Sequence, residues 1–360
     1  MFSSLPIEII KHEIFPHLDD SAKIILRHVL WHTPIPHVLP DILQLEICQY
    51  SVQYLSFFHQ DLDCSTISHH LAFHSNFPGL KWAKENNCLF TITTFTTAAR
   101  FGNLDIMKWL LMINCPWSAR TCEYTAKGGH LDGLKWLRTN GCPWDSYTCY
   151  SSAKGGHLEI LKWVRANGCS WGVFTSRSAA SGGHLDVLKW ARENGCPWDD
   201  MTCSAAAEGG HLDVLKWLRA NGCLWDEETC SFAAESGHLD VIKWARENGC
   251  PWDDETCSFA ARKGHLDVIK WARTNGCPWD EETCSNAAAG GHLVVLQWLR
   301  ENGCPWNQYT CGLAANGCHL DVLKWARSNG CSWGKYTCRS DSIKRHLEVL
   351  QWARDNGCPS

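Results

Sequence analysis

Apolar and polar residues follow one pattern along most of this chain, and residues 225–251 (WDEETCSFAAESGHLDVIKWARENGCP) show one copy of it. Asp226 can cap a helix, and the alanine-containing, proline-free run at 230–235 then predicts a short first helix. The apolar residues after Gly237 recur at helical spacing and predict a second helix. Gly249 is expected to end this helix in the left-handed conformation. One copy therefore predicts a helix, a tight turn, a second helix and a loop.

This copy recurs with a period of 27 residues. A tryptophan preceded by Lys or Gln returns at that step from Trp82 to Trp352, and a cysteine does so from Cys88 to Cys358. Ten whole units fit between Phe90 and Pro359, after one or two degenerate copies. Such units stack because one unit alone cannot bury its apolar face. We therefore expect an all-α helical repeat solenoid that forms a single elongated right-handed stack.

The repeat also explains an unusual composition of 22 cysteines and 21 tryptophans. A net charge of -5 argues against the broad basic surface that nucleic-acid binding requires, so no nucleic-acid partner is expected. Charged residues interrupt the apolar runs, and we expect neither a secretory signal nor a membrane span. A reducing, cytoplasmic location with free and mostly unreactive thiols follows as the expectation.

Cysteine and histidine recur together, which raises the question of a metal site. The spacing of Cys250, Cys257 and His265 does not match the short gaps of compact zinc sites. Because nothing distinguishes one Cys and His combination from its copies, we predict no enzyme, no catalytic residue, no metal and no cofactor. The histidines after the Gly turns are expected to bridge backbone groups, and the tryptophans to pack in the core. A thiol-handling or zinc-handling repeat protein is kept as a minor alternative.

The unit resembles the ankyrin repeat. Its Thr-Cys-Ser-Phe-Ala-Ala at 229–234, Gly237-His238, Val241 and Gly249 fall where the ankyrin pattern has Thr-Pro-Leu-His-x-Ala-Ala, Gly-His, Val and Gly. The resemblance covers roughly residues 63–360 and departs from the family in its period of 27 residues, against about 33 in ankyrin repeats. It implies an ankyrin-like stack with reduced β-hairpins.

The residue directly before the recurring threonine of the first helix differs from unit to unit. Its chemistry ranges from aromatic to acidic, whereas the apolar positions of the units hardly change. Variable aromatic side chains on a constant scaffold suit a protein-binding face, although they also suit solvated positions under no constraint. The predicted partner-binding residues are Arg120, Tyr147, Phe174, Met201, Glu228, Glu255, Glu282, Tyr309 and Tyr336.

The N-terminal residues lie outside the 27-residue register and resemble an F-box. The resemblance consists of Leu5-Pro6 followed by Glu8, then Ile14-Phe15 and Leu18-Asp19. It implies docking of the F-box on the Skp-type adaptor of a cullin-RING ubiquitin ligase. The residues implied to face the adaptor are Leu5, Pro6, Ile9, Ile10, Ile14, Phe15 and Leu18. The alternative is a helical pair that caps the first repeat.

Together these parts resemble F-box proteins with ankyrin-type repeats, as found in large DNA viruses of protists and in their hosts. The expected organisation is an F-box-like module at 1–42, degenerate repeats or a cap at 43–89, and ten repeats at 90–360. The resemblance implies a non-enzymatic, substrate-recruiting ligase subunit in the cytoplasm (the host's, if viral), monomeric outside its complex. Its partners would be a Skp-type adaptor and an unknown protein substrate. A plain ankyrin-repeat protein that binds or sequesters another protein is the alternative.

Overall fold

The computed structural model describes residues 64–85, 87–334, 337 and 347–358. This part of the chain contains 21 α-helices and no strand, so the expected reduction of the β-hairpins is confirmed there. The helices are α1 Cys64–Phe73, α2 Phe77–Glu85, α3 Ile92–Arg100, α4 Leu104–Met112, α5 Ala119–Lys127, α6 Leu131–Thr139, α7 Ser146–Lys154, α8 Leu158–Ala166, α9 Val173–Ser181, α10 Leu185–Glu193, α11 Asp200–Glu208, α12 Leu212–Ala220, α13 Glu227–Glu235, α14 Leu239–Glu247, α15 Asp254–Lys263, α16 Leu266–Thr274, α17 Glu281–Ala289, α18 Leu293–Glu301, α19 Gln308–Asn316, α20 Leu320–Ser328 and α21 Leu347–Asp355.

The sequence signals define the ends of these helices. Asp226 caps α13, and its side chain accepts a hydrogen bond from the backbone N–H of Glu228 at 3.2 Å. Gly249 follows α14 with a φ of 85°, in the left-handed region that favours glycine. The next backbone N–H, from Cys250, donates to the carbonyl of Ala245 at 3.0 Å. The predicted cap and the predicted stop are both confirmed.

Small and branched apolar residues of the helix pairs form the buried core. In residues 225–251, the first helix buries Cys230, Ala233 and Ala234, and the second buries Val241 and Ile242. The small residues allow first helices of successive units, such as α13 and α15, to pack closely against each other, whereas successive second helices touch at few points. The predicted all-α helical repeat solenoid is confirmed in the described residues.

Buried hydroxyls join the first helices of neighbouring units. Four serine and threonine pairs, each 25 residues apart, lie within 3.1–3.2 Å of each other. These pairs, called the hydroxyl rungs below, are Ser204 with Thr229, Ser231 with Thr256, Ser258 with Thr283, and Ser285 with Thr310. Both members of each rung are buried, so the mutual hydrogen bond satisfies groups that water cannot reach.

The chain divides into two compact units, residues 1–121 and 122–360. In the first unit, α1 packs on α2 and α3, and α3 packs on α4. The second unit holds the regular helix pairs from α7 onward. The F-box-like module predicted at 1–42 lies outside the described residues, as do the first degenerate repeats up to residue 63. The domain boundaries and the single elongated stack stay predictions.

No helix in the described part of the chain is long and apolar enough to cross a membrane.

Candidate partner-binding surface

The predicted partner-binding residues occupy one equivalent position in successive helices. In the second unit each is the second residue of a first helix, from Tyr147 in α7 to Tyr309 in α19. The threonine that follows is buried every time, as with Thr148 and Thr310, so the residue before it is turned outward. We call these residues, Tyr147, Phe174, Met201, Glu228, Glu255, Glu282 and Tyr309, the N-terminal row. Arg120 holds the same position in α5 and is exposed, and Tyr336 lies outside the described residues.

Three aromatic side chains near the two ends of the row are mostly exposed. Tyr147 is 59%, Phe174 64% and Tyr309 63% exposed. The guanidinium of Arg177 lies 5.2 Å from the centre of the Phe174 ring, and the same group forms an ion pair with Asp199. Exposed rings that are partly held in place lose little conformational freedom when they are covered by a partner.

The middle of the row is acidic. Glu228 and Glu255 come from consecutive units, and the pKa of each carboxyl is raised, foremost by burial and then by neighbouring carboxylates. For Glu255 these neighbours include Glu228 and Glu282, so the three acidic residues of the row act on one another. Helix N-termini stabilise negative charge and account for part of this composition. The mutual repulsion nevertheless shows a continuous negative surface that a basic group would stabilise.

The histidines join neighbouring units, as predicted. Nε2 of His265 lies 3.0 Å from the carbonyl oxygen of Glu235, and Nε2 of His238 lies 3.1 Å from that of Glu208. Because a carbonyl only accepts, the histidine N–H donates. The same contact recurs from His157 to His319 at a separation of 30 residues. The rings are therefore structural bridges between units.

The tryptophans correct the expectation that they lie in the core. In residues 225–251 the buried apolar side chains are cysteine, alanine, valine and isoleucine, whereas Trp225 and Trp244 are half-buried. Trp225 and Trp244 meet edge to face at 5.8 Å, and the guanidinium of Arg246 lies 4.1 Å from the Trp252 ring centre. The indoles cover the core from one side and leave the other side to solvent.

The two cysteine series meet inside seven of the described units, which the sequence pattern alone did not reveal. Cys230 from α13 and Cys250 from the loop after α14 form one buried cluster with Ala245, covered by Trp225 and Trp252. The Cys250 thiol donates a hydrogen bond to the backbone carbonyl of Asp226 at 3.3 Å. Burial of the described thiols in both series agrees with the expectation from sequence. No group of three or more His, Cys, Asp or Glu side chains suited to a metal ion occurs among the described residues.

No protein-family model matches this chain, and no curated protein matches it. Among solved structures, the ankyrin repeat domain of human ASB11 is similar, with a TM-score of 0.36. The sequence identity is 20%, and the match covers 44% of this chain and 84% of that one. A TM-score of this size carries no argument about function. The function is therefore inferred from the side chains described above.

Proposed function

We propose that this chain is a non-enzymatic protein-binding scaffold that contacts its partner through the N-terminal row. One observation carries the proposal. The row repeats a single outward position of a regular stack, and its chemistry changes from aromatic to acidic to aromatic, while the residues beneath it stay nearly constant. A surface needed only for solubility has no use for three rings that are about 60% exposed.

The chemistry of the row specifies the kind of partner. Aromatic residues dominate the binding energy of protein interfaces, so Tyr147, Phe174 and Tyr309 would enter apolar depressions of the partner. Glu228 and Glu255 would pair with lysine or arginine, which would remove the repulsion that raises their pKa. The proposed partner is therefore a protein with a basic segment between two apolar patches.

The experiment compares two sets of variants of the full-length protein after a partner has been identified by cross-linking. Tyr147→Ala with Phe174→Ala should weaken binding at least tenfold, about 1.4 kcal/mol in binding free energy. Leu224→Ala with Val294→Ala is the matched control, because these side chains are 72% and 66% exposed but lie outside the row. Equal effects of the two pairs would refute the row as the contact surface.

We further propose that residues 1–42 couple the scaffold to a Skp-type adaptor of a cullin-RING ubiquitin ligase. The support is the F-box-like sequence pattern, and Ile9 and Phe15 are among the residues that this resemblance implies to face the adaptor. Replacing both with Glu would bury unpaired charge at the contact and should abolish adaptor binding without loss of partner binding.

A pulldown with purified adaptor tests this coupling. The circular dichroism spectrum of the double variant should match that of the wild type, since both residues lie outside the repeat register. A wild-type protein that binds no Skp-type adaptor would eliminate the ligase coupling and leave the plain binding scaffold. Unfolding of the double variant would instead support an N-terminal cap.

A further inference from the structure

Paired cysteines form a second, separate system in this molecule. The first member of each pair lies in a first helix and the second lies 20 residues later, after the second helix of the same unit. The seven pairs in the described residues are Cys122 with Cys142, Cys149 with Cys169, Cys203 with Cys223, Cys230 with Cys250, Cys257 with Cys277, Cys284 with Cys304, and Cys311 with Cys331.

We propose that these pairs are dithiol sites which a peroxide oxidises to disulfides, one within each unit. Each bond would tie the first helix of a unit to the loop after its second helix, and none would join different units. The proposal concerns a redox modification and is independent of the partner-binding function.

The contacts favour bonding within a pair over every other cysteine combination. The members of a pair are neighbours: Sγ of Cys149 lies 3.9 Å from the carbonyl oxygen of Cys169, and Sγ of Cys311 lies 3.8 Å from that of Cys331. In the pair of residues 230 and 250, Trp225 and Trp252 cover the cluster. These buried thiols become accessible only when the unit opens locally. When the unit closes again, an oxidised cysteine meets the other member of its own pair first.

The charge states also favour the pair as a unit. In four of the seven pairs, contact with the first thiol lowers the pKa of the second cysteine, which is Cys142, Cys169, Cys223 or Cys331. The single thiolate supplies the nucleophile. Burial opposes a charged product, whereas a disulfide carries no charge and suits the apolar surroundings.

The reaction is balanced with hydrogen peroxide as the oxidant. The thiolate attacks one peroxide oxygen, the O–O bond breaks, and a sulfenic acid and one water form once the thiol's own proton is counted. The partner sulfur then attacks the sulfenic sulfur, the S–S bond forms, the S–O bond breaks, and a second water leaves with the partner's proton. Two thiols lose two electrons and two protons, and the peroxide is reduced to two waters.

The end of the repeat array provides an independent observation. Cys358, which occupies the second position of a pair, is disulfide-bonded, and its bonding partner lies outside the described side chains. The residue 20 positions earlier is Cys338. The other described cysteines of the two series, by contrast, are free.

The chain contains its own controls, because three units lack the first cysteine. The hydroxyl of Ser176 lies 3.3 Å from the sulfur of Cys196, where every regular pair has a second sulfur. The residues 20 positions before Cys88 and Cys115 are Ser68 and Phe95. Burial raises the pKa of Cys115 to about 12, and this thiol should stay unreactive.

The test exposes full-length protein to hydrogen peroxide under conditions that leave its circular dichroism spectrum unchanged. The remaining thiols are then alkylated, and the disulfides are mapped by peptide mass spectrometry. We expect cross-links such as Cys149 to Cys169 and alkylated Cys115 and Cys196. Ser176→Cys should add a cross-link to Cys196 and so remove one alkylation site, whereas Cys149→Ser should free Cys169 and so add one.

Three results would overturn the proposal. The first is full alkylation of the peroxide-treated, folded protein. The second is cross-links that join cysteines of different units. The third is disulfides that form only after addition of urea, which would assign them to the unfolded chain. A parallel Ser176→Ala variant tests whether this buried position tolerates substitution. If the circular dichroism spectra of both Ser176 variants match that of the wild type, misfolding does not explain a missing cross-link in the Ser176→Cys protein.

Discussion

Two glycines of one repeat unit have the same backbone conformation but different surroundings, and alanine substitution should separate the two effects. Gly237 has a φ of 79° and Gly249 a φ of 85°. A Cβ atom on Gly237 would lie 2.7 Å from Cε1 of His265 in the next unit, whereas a Cβ on Gly249 would meet nothing within 4 Å. Only the first substitution should disturb the bridge between units.

The magnitudes follow from these contacts. A left-handed conformation costs an alanine about 1 to 2 kcal/mol, which is the full expected loss of unfolding free energy for Gly249→Ala. Gly237→Ala adds about 1 to 3 kcal/mol for overpacking and about 0.5 to 1.5 kcal/mol if His265 gives up its hydrogen bond to Glu235. The expected total for Gly237→Ala is therefore about 3 to 6 kcal/mol.

Urea denaturation followed by far-ultraviolet circular dichroism measures both variants. A double variant, Gly237→Ala with His265→Ala, should recover part of the loss, because removing the ring leaves room for the new methyl group. The coupling between the two sites should be about 1 to 3 kcal/mol. Equal losses for Gly237→Ala and Gly249→Ala would refute the reasoning, since backbone strain alone would then explain both.

Three further predictions concern single side chains. Thr148 has a buried hydroxyl without a hydrogen-bond partner, and Thr148→Val should leave the urea midpoint unchanged or raise it, whereas Thr229→Val should cost about 1 to 3 kcal/mol by orphaning the buried hydroxyl of Ser204. Trp244→Ala should cost about 2 kcal/mol, less than the about 3 to 5 kcal/mol for a fully buried tryptophan, and a larger loss in thermal unfolding would place the indole in the core. The pKa of Glu255 is raised in the folded protein, so its contribution to stability falls as pH rises through that pKa and is regained as pH falls below it. Glu255→Gln should therefore flatten the decline in urea midpoint from mildly acidic to neutral pH, and an unchanged slope would contradict the repulsion within the row.

The features that were predictable from sequence are those decided within one or two turns of chain. The cap at Asp226 and the stop at Gly249 depend on local backbone requirements, which residue type alone expresses. The bridging role of the histidines could be predicted because each ring follows a turn with exposed backbone groups.

The sequence was less informative where the answer depends on the crossing of two helices. Trp244 has the spacing of a core residue, but the small residues of the first helices bring the core close to the backbone and leave the large indole only half covered. Cys230 and Cys250 are 20 residues apart, and only the packing of α13 and α14 brings them together. A regular separation between two cysteine series was the signal available for this pairing.

The hydroxyl rungs have a consequence for how such a chain can change in length. Each rung joins the same residue types at the same separation of 25 residues, from Ser204 to Thr310. Excising one whole unit by recombination would leave Ser204 facing Thr256 in place of Thr229, with an identical partner. Gene rearrangements that add or remove one unit in this segment would thus preserve its internal hydrogen bonds. The central repeats are accordingly the segment in which relatives of this protein should differ most in repeat number.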